Sequence, residues 1–458
     1  MAHAVGRPPE RQAPRVSPRQ GWEAPTNVDF VSKVNFVSKK VSSMKAVRWH
    51  GKRDVRVEEV PEPRIEEPTD AIVRITTTNI CGSDLHLYEV LSPFLEDGDI
   101  LGHEPIGVVE EVGSDAAQHI QPGDRVVIPF NISCGRCWMC HEQLYAQCET
   151  TQNREYGKGA SLFGYTKLYG HVPGGQAEYL RVPQAQFGPI KVPNGPVDDR
   201  FVYLSDVLPT GWQAAAYANI PKGGSVAVYG LGPVGQFSAR SALVQGAGHV
   251  FGVDIVPERL AMAARHGIEV IDANQVDDVP GYLADGTDGR GPDSVIDAVG
   301  MEAHGSSLID VAHEVVARLP SAIGRPVAER FGIDQLTVLN EAIEAVRRGG
   351  TVSITGVYSG AIDPMPMMDM FDKGIGLRMG QCHVRKWVDE IMPHLLDDSD
   401  PLATEDMASH YLPLGDAPRG YELFQKKEDG CTKVLLQPER TQPELYPGGR
   451  GAATTPVG

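Results

Sequence analysis

Four cysteines, Cys134, Cys137, Cys140 and Cys148, fall close together in a turn-rich loop with Gly135. Two-residue gaps followed by a gap of seven bring four soft thiolates within reach of one ion, a set that suits a closed tetrahedral zinc site. Such a site contributes folding energy and keeps no open coordination position. The gap of seven does not fit ferredoxin spacings, which opposes an iron–sulfur cluster. His141, beside Cys140, could substitute as a ligand, though four cysteines make it unnecessary. A second group is dispersed: Cys81-Gly82-Ser83-Asp84-Leu85-His86 and, further on, Gly102-His103-Glu104. Each part of it is weak alone, since an isolated histidine is more often structural than a ligand.

Another kind of chemistry is written after Tyr229, in Gly230-Leu231-Gly232-Pro233-Val234-Gly235. A β-branched apolar run precedes these glycines and a helical run opens at Pro233, the context that gives the pattern meaning. Gly230 permits the tight turn, Gly232 lets a pyrophosphate approach the backbone, and Gly235 lets helix and strand pack closely. The phosphates would then sit over a positive helix N-terminus. Asp254 ends the next apolar run, where a carboxylate accepts from the adenosine ribose hydroxyls and repels a 2′-phosphate. That favours NAD over NADP. Arg259, shortly after it, is the residue type that accommodates such a phosphate, and it pulls the other way.

Two kinds of scaffold must hold these groups. From Met44 the pattern is of short β segments (44–49, 55–60, 71–77, 105–112 and 125–129) punctuated by Gly and Pro, a β-rich module to about residue 200. From Ser205 apolar runs at 225–229, 250–254, 294–297 and 351–357 alternate with helical stretches at 233–245 and 257–266. That alternation implies a parallel sheet with right-handed crossovers. Residues 300–341 exceed one crossover, and helical spacing at 309–318 and 336–347 reads as an inserted helical excursion. A last helix at 386–396 leads to 411–437, and a tail rich in Pro, Gly and Thr follows from Glu439.

The chain of 458 residues allows two or three domains, and its 41% apolar and 22% charged content is that of an ordinary globular protein. No window approaches the roughly 18 uninterrupted apolar residues of a membrane span. The net charge of −18 repels phosphate backbones and argues against nucleic acid as a partner. Residues 1–43 run the other way, with Arg7, Arg11, Arg15, Arg19, Lys33, Lys39 and Lys40 against Glu10, Glu23 and Asp29. They lack the apolar core of a secretory signal and read as a disordered extension. Seven cysteines, an odd count, oppose a disulfide framework and point to a reducing, cytoplasmic compartment.

Taken in order, these motifs resemble the zinc-containing medium-chain alcohol dehydrogenases over residues 44–438. The resemblance implies an α/β fold: a GroES-like β-rich catalytic domain (44–207 and 384–438) plus a Rossmann doubly wound parallel sheet (208–383) with a helical insertion. Residues 1–43 and 439–458 would be disordered flanks. It also implies two zinc ions per subunit, the structural one on the four cysteines and a catalytic one on the residues matching Cys81 and His103. The third catalytic ligand is usually Cys, but Leu204-Ser205-Asp206-Val207-Leu208-Pro209-Thr210-Gly211 holds none, and Asp206 occupies its place. Glu104 is the alternative, as an outer or transient ligand. A carboxylate here is similar to the glutathione-independent formaldehyde dehydrogenase branch, as are the 164–175 segment and the 300–340 insertion.

By the same resemblance, a hydride passes from a small alcohol or a formaldehyde-like aldehyde hydrate to NAD. Ser83 takes the substrate proton and His86 relays it, a role suited to an imidazole near its unperturbed pKa of about 6.5. Thr210 and Val357 would pack on the nicotinamide, Arg259 would lie at the adenosine ribose, and Lys433 would contact the pyrophosphate. A homodimer or homotetramer is implied, with tightly held NAD. Polyol or threonine dehydrogenases of the same family remain rivals, and so does a non-catalytic NAD-binding redox sensor.

Overall fold

The computed structural model describes residues 42–89, 91–300, 337–358 and 365–445. The basic extension up to Val41 and the helix expected at 309–318 lie outside the described residues.

The first part is β-rich. Strands β1 (Ser43–Gly51) and β2 (Asp54–Pro61) pair antiparallel. The long β3 (Ala71–Ile80) is followed by β4 (Asp99–Ile100), which closes a small sheet on β1. Next come β5 (Pro105–Val112), β6 (Arg125–Val127), β7 (Tyr179–Val182) and β8 (Ile190–Lys191). A helix not foreseen in the sequence, Gly82–Glu89, leaves the end of β3.

The second part is a parallel sheet of β9 (Ser225–Tyr229), β10 (His249–Asp254), β11 (Glu269–Asp272), β12 (Ser294–Asp297), β13 (Thr351–Ile354) and β14 (Gly376–Met379). Its order, β11-β10-β9-β12-β13-β14, is that of the doubly wound dinucleotide fold. Val226, Ala227 and Val228 are fully buried, because helices cover both faces of a parallel sheet and its central strand reads as an unbroken apolar run. The strand expected over 351–357 stops at Ile354, since the N–H groups of Thr355 and Gly356 turn onto the Asp297 carbonyl. Edge strand β14 is exposed along all four residues, beside a helix, Met367–Lys373, that leaves Met367, Met368 and Phe371 in solvent.

After the helix Val384–Leu395 the chain returns to the first part. Strands β15 (His410–Pro413) and β16 (Val434–Gln437) join β3, with Val434 opposite Ile80, in a sheet that one further short strand brings to eight. Residues 439–445, expected as the start of an irregular tail, are ordered, and the rest of that expected tail lies outside the described residues. Glu439 pairs with Arg74, Arg440 with Glu444, and β17 (Glu444–Leu445) adds to β15. Ion pairs and one strand edge order a stretch whose composition carries no apolar pattern. Among the described residues no helix is long and apolar enough to cross a membrane.

One helix bridges the two parts. Val207–Ala218 packs against the helix Pro233–Val244 so closely that a Cβ on Gly211 would lie 2.7 Å from the Phe237 backbone.

Candidate active site

The four-cysteine loop closes on itself. Its sulfurs lie within 4.8 Å of one another, with Cys134–Cys140 at 4.0 Å and Cys137–Cys148 at 3.9 Å. A tetrahedron with arms of roughly 2.3 Å has edges of about 3.8 Å, so the spacing fits zinc. Sulfurs this far apart are not disulfides, whose bond is about 2.05 Å. Donors already point at the sulfurs: Cys134 N to Cys148 at 3.4 Å, Arg136 N to Cys134 at 3.4 Å, Glu149 N to Cys137 at 3.3 Å and the Thr150 hydroxyl to Cys134 at 3.0 Å. Such donors favour thiolate. The Cys140 thiol, donating to its sulfur, and the Cys134 N–H bring Cys148 down to about 3 against burial. Gly135, at φ +71°, sits where any side chain would strike the Phe187 ring. His141 is exposed and outside the set.

The dispersed group converges as well. Cys81 follows the end of β3, His103 precedes β5, and Asp206 caps the bridging helix. All three are buried, with ligand atoms within 4.8 Å of one another. Asp206 Oδ2 is 3.7 Å from Cys81 Sγ and 3.3 Å from His103 Nε2. The other imidazole nitrogen, Nδ1, stands 3.2 Å from Asp84 Oδ1, and neither atom has another partner. Asp84 thereby fixes which nitrogen faces the sulfur and raises the ring's basicity. Burial resists charging the ring, yet Asp84 and then Asp206 hold its pKa well above the ordinary imidazole value. Burial and the Glu104 charge push the Cys81 thiol up, so a cation is needed to make it a thiolate. His103 in turn holds the Asp206 carboxyl low against its burial. One sulfur, one nitrogen and one oxygen donor with a fourth position open is the donor set of a catalytic zinc, and the residues fit.

Glu104 is not brought into this trio. Its Oε2 receives the Lys433 amine at 2.5 Å, both side chains being fully buried. Burial lifts the Glu104 carboxyl against the pull of Lys433. The amine of Lys433 is thus engaged by Glu104 in the interior. The Thr210 hydroxyl donates to Asp206 Oδ1 at 2.9 Å. Ser83 Oγ lies 3.8 Å from Cys81 Sγ on the helix Gly82–Glu89, and half-buried His86 follows three residues later, on the same face. Phe130 and Tyr165 present ring edges to His103, each with centroids 6.5 Å away, and Tyr169 stands behind Tyr165 at 5.7 Å. These aromatics, like Asp84, were not singled out in the sequence. Asp84 lies within the Cys81 motif and Tyr165 and Tyr169 within the 164–175 segment, whereas Phe130 carries no sequence signal.

The glycine turn divides its work as the pattern implies. Gly230 is left-handed at φ +84°, and a Cβ on Gly235 would lie 1.7 Å from the Gly230 carbonyl oxygen. A Cβ on Gly232 would meet nothing nearer than Arg259 at 3.7 Å, which leaves open space at the start of the helix Pro233–Val244, beside Val234. Asp254 accepts from Leu231 N at 2.6 Å, Ile255 N at 2.7 Å and Val256 N at 2.8 Å, with Arg259 3.8 Å away. Val357 is half exposed, and its backbone closes on Gly300.

Residues 67–194 match the alcohol dehydrogenase GroES-like domain, and residues 233–314 match the zinc-binding dehydrogenase domain. A zinc-type alcohol dehydrogenase-like protein of Bacillus subtilis is 39% identical over 400 residues, covering 86% of this chain and 100% of that protein. A glutathione-independent formaldehyde dehydrogenase of Pseudomonas aeruginosa is 33% identical over 398 residues, covering 84% and 95%. Among solved structures, the alcohol dehydrogenase TADH from Thermus sp. ATN1 superposes with a TM-score of 0.71 at 36% identity, covering 86% of this chain and 99% of that one.

Proposed function

The chain belongs to the zinc-type medium-chain alcohol dehydrogenase family of oxidoreductases, and on that premise we propose that it oxidises a small alcohol or hydrated aldehyde with NAD. The observation that carries this reading is the convergence of Cys81, His103 and Asp206 on one buried point, from three separate segments. Zinc held there would supply Lewis acidity toward a substrate oxygen, and a nicotinamide dinucleotide would supply the hydride acceptor. Ser83 accepts the substrate hydroxyl proton, and His86, on the same helix face, passes it outward. Phe130 and Tyr165, with Tyr169 behind, set aromatic rings against His103, an apolar lining that suits a small substrate of little charge. Asp254, fixed by three backbone N–H groups, receives the adenosine ribose and disfavours a 2′-phosphate. Gly230, Gly232 and Gly235 cradle the pyrophosphate.

In this proposal the catalytic domain spans residues 44–207 with 384–438 and the nucleotide domain 208–383, in a cytoplasmic enzyme. A second copy of the chain covers the open edge of β14 and the exposed Met368 and Phe371, giving at least a homodimer. Sedimentation of Phe371→Glu against the parent protein checks this: an unchanged sedimentation coefficient removes that interface.

The test of the activity is formation of reduced nucleotide, followed by absorbance, with formaldehyde, short alcohols, polyols and threonine, each with NAD or NADP and without glutathione. Formaldehyde or a short alcohol with NAD is expected to lead. Turnover of threonine or polyols alone reassigns the substrate class, and no turnover with any of them overturns the proposal.

A further inference from the structure

We infer that Gln176 and Tyr421 are positioning residues for the His103 imidazole, acting through Asp84. The inference rests on reading Cys81, His103 and Asp206 as a metal site, and it reaches one layer beyond that reading.

Gln176 is fully buried. Its amide nitrogen donates to Asp84 Oδ2 at 3.1 Å and to the Asn79 carbonyl at 3.0 Å, while its Oε1 accepts from the Tyr421 hydroxyl at 2.8 Å. A carboxamide alone offers two donors and an acceptor in this arrangement. Glutamate would set a second carboxylate against Asp84, and an apolar side chain would leave Asp84 and Tyr421 short of partners in a dry interior.

The backbone of Gln176 is clamped on the ligand-bearing segment. Gln176 N donates to the Leu101 carbonyl at 3.0 Å, and a Cβ on Gly102, at φ +97°, would lie 2.3 Å from Gln176 Cγ. The residue before His103 is glycine because Gln176 occupies the space of its side chain. Asp84, held from behind by Gln176, accepts Cys81 N at 2.9 Å with the same oxygen and faces His103 with the other. One carboxylate therefore ties together two ligand-bearing segments, and Gln176 sets its orientation. Burial and the Asp84 charge keep the Tyr421 hydroxyl protonated well beyond neutral pH, so it remains a donor. Tyr421 belongs to the helix Ala417–Lys426, so the returning segment reaches the metal histidine through three side chains.

The experiment measures zinc content and zinc release to a chelator for the holoenzyme, Gln176→Met and Tyr421→Phe. The parent protein is expected to carry two zinc ions, one labile and one retained by the four cysteines. Gln176→Met should speed loss of the labile ion about tenfold, with Tyr421→Phe smaller in the same direction and the retained ion unaffected. In the cobalt-substituted protein, the visible bands of the labile site should shift in Gln176→Met while those of the four-cysteine site do not. Parent-like release from both folded variants overturns the inference and leaves the metal site standing. If Gln176→Met does not fold, Tyr421→Phe, which keeps the shape, decides alone. A parent protein holding zinc only on the four cysteines overturns the metal-site reading and the inference with it.

Discussion

The two groups of candidate metal ligands in this chain are built on opposite plans. Cys134 and Cys148 are 14 residues apart, and the loop between them supplies the ligands and most of the N–H donors that face the sulfurs. Cys81 and Asp206 are 125 residues apart, and the trio they form with His103 depends on a strand end, a β-rich turn and a helix cap meeting at one point. The local group uses one donor type and closes the coordination sphere. The distributed group uses three donor types, leaves a position open, and leans on buried charges around it. A closed set stabilises its loop, whereas an open one needs the fold around it to be rigid first.

The strongest way to break that contrast is to remove a ligand from the distributed group. Cys81→Ser or His103→Ala should lower turnover at least about a thousandfold, since several kcal/mol of transition-state stabilisation are lost. One equivalent of zinc should remain and the unfolding midpoint should stay near that of the parent. Retained activity in either variant would remove the catalytic assignment. Cys148→Ser is the converse. It should cost several kcal/mol of stability, read as a lowered midpoint and proteolytic nicking near residues 134–148, while cold-assayed turnover falls much less. A parent-like midpoint would show that the loop needs no ion.

Asp84→Asn sharpens the contrast, because among the described residues the cysteine loop is backed by N–H and O–H donors rather than by a carboxylate. The substitution should lower activity or affinity for the labile metal about 10–100-fold, measured by chelator titration, without moving the unfolding midpoint by more than a few degrees.

The smallest effect is in acid. Burial lowers His383 to about 4, and its Nδ1 accepts from Ala146 N in the cysteine lobe. The folded pKa lies below the unfolded value of about 6.5, so the unfolded chain binds the extra proton first. The contribution is full above about pH 6.5 and drains away as pH falls toward 4, by at most about 3 kcal/mol. In thermal melts, His383→Gln should lose less stability than the parent between pH 7 and 5. Equal losses would exclude His383 as the acid-sensitive link to that lobe.

The same contrast explains what the sequence made legible. The cysteine spacing and the glycine turn are short-range patterns, and strands such as Ser225–Tyr229 and Ser294–Asp297 are unbroken apolar runs, so all could be read directly. β14, Gly-Leu-Arg-Met, carries no apolar run and an alternation of only three residues, and the helix Gly82–Glu89 opens on Gly and Ser, so neither announced itself. Asp206 was reached only through family resemblance. Asp84 and Gln176 could not be distinguished from other polar residues, because their importance lies in which side chains a distant part of the chain brings to them.

The return of β15 and β16 to the first sheet has a consequence for how the protein is made. Glu104 and Lys433 are 329 residues apart in the chain, yet they form one buried pair, and β3 lacks its β16 neighbour until residue 437 has been synthesised. The parallel sheet of the second part can assemble while translation continues. The first part must wait with an unpaired strand edge and an uncompensated acid, which favours chaperone contact in the interval. A messenger truncated near its end would thus yield a chain with a finished nucleotide fold and an unfinished metal pocket.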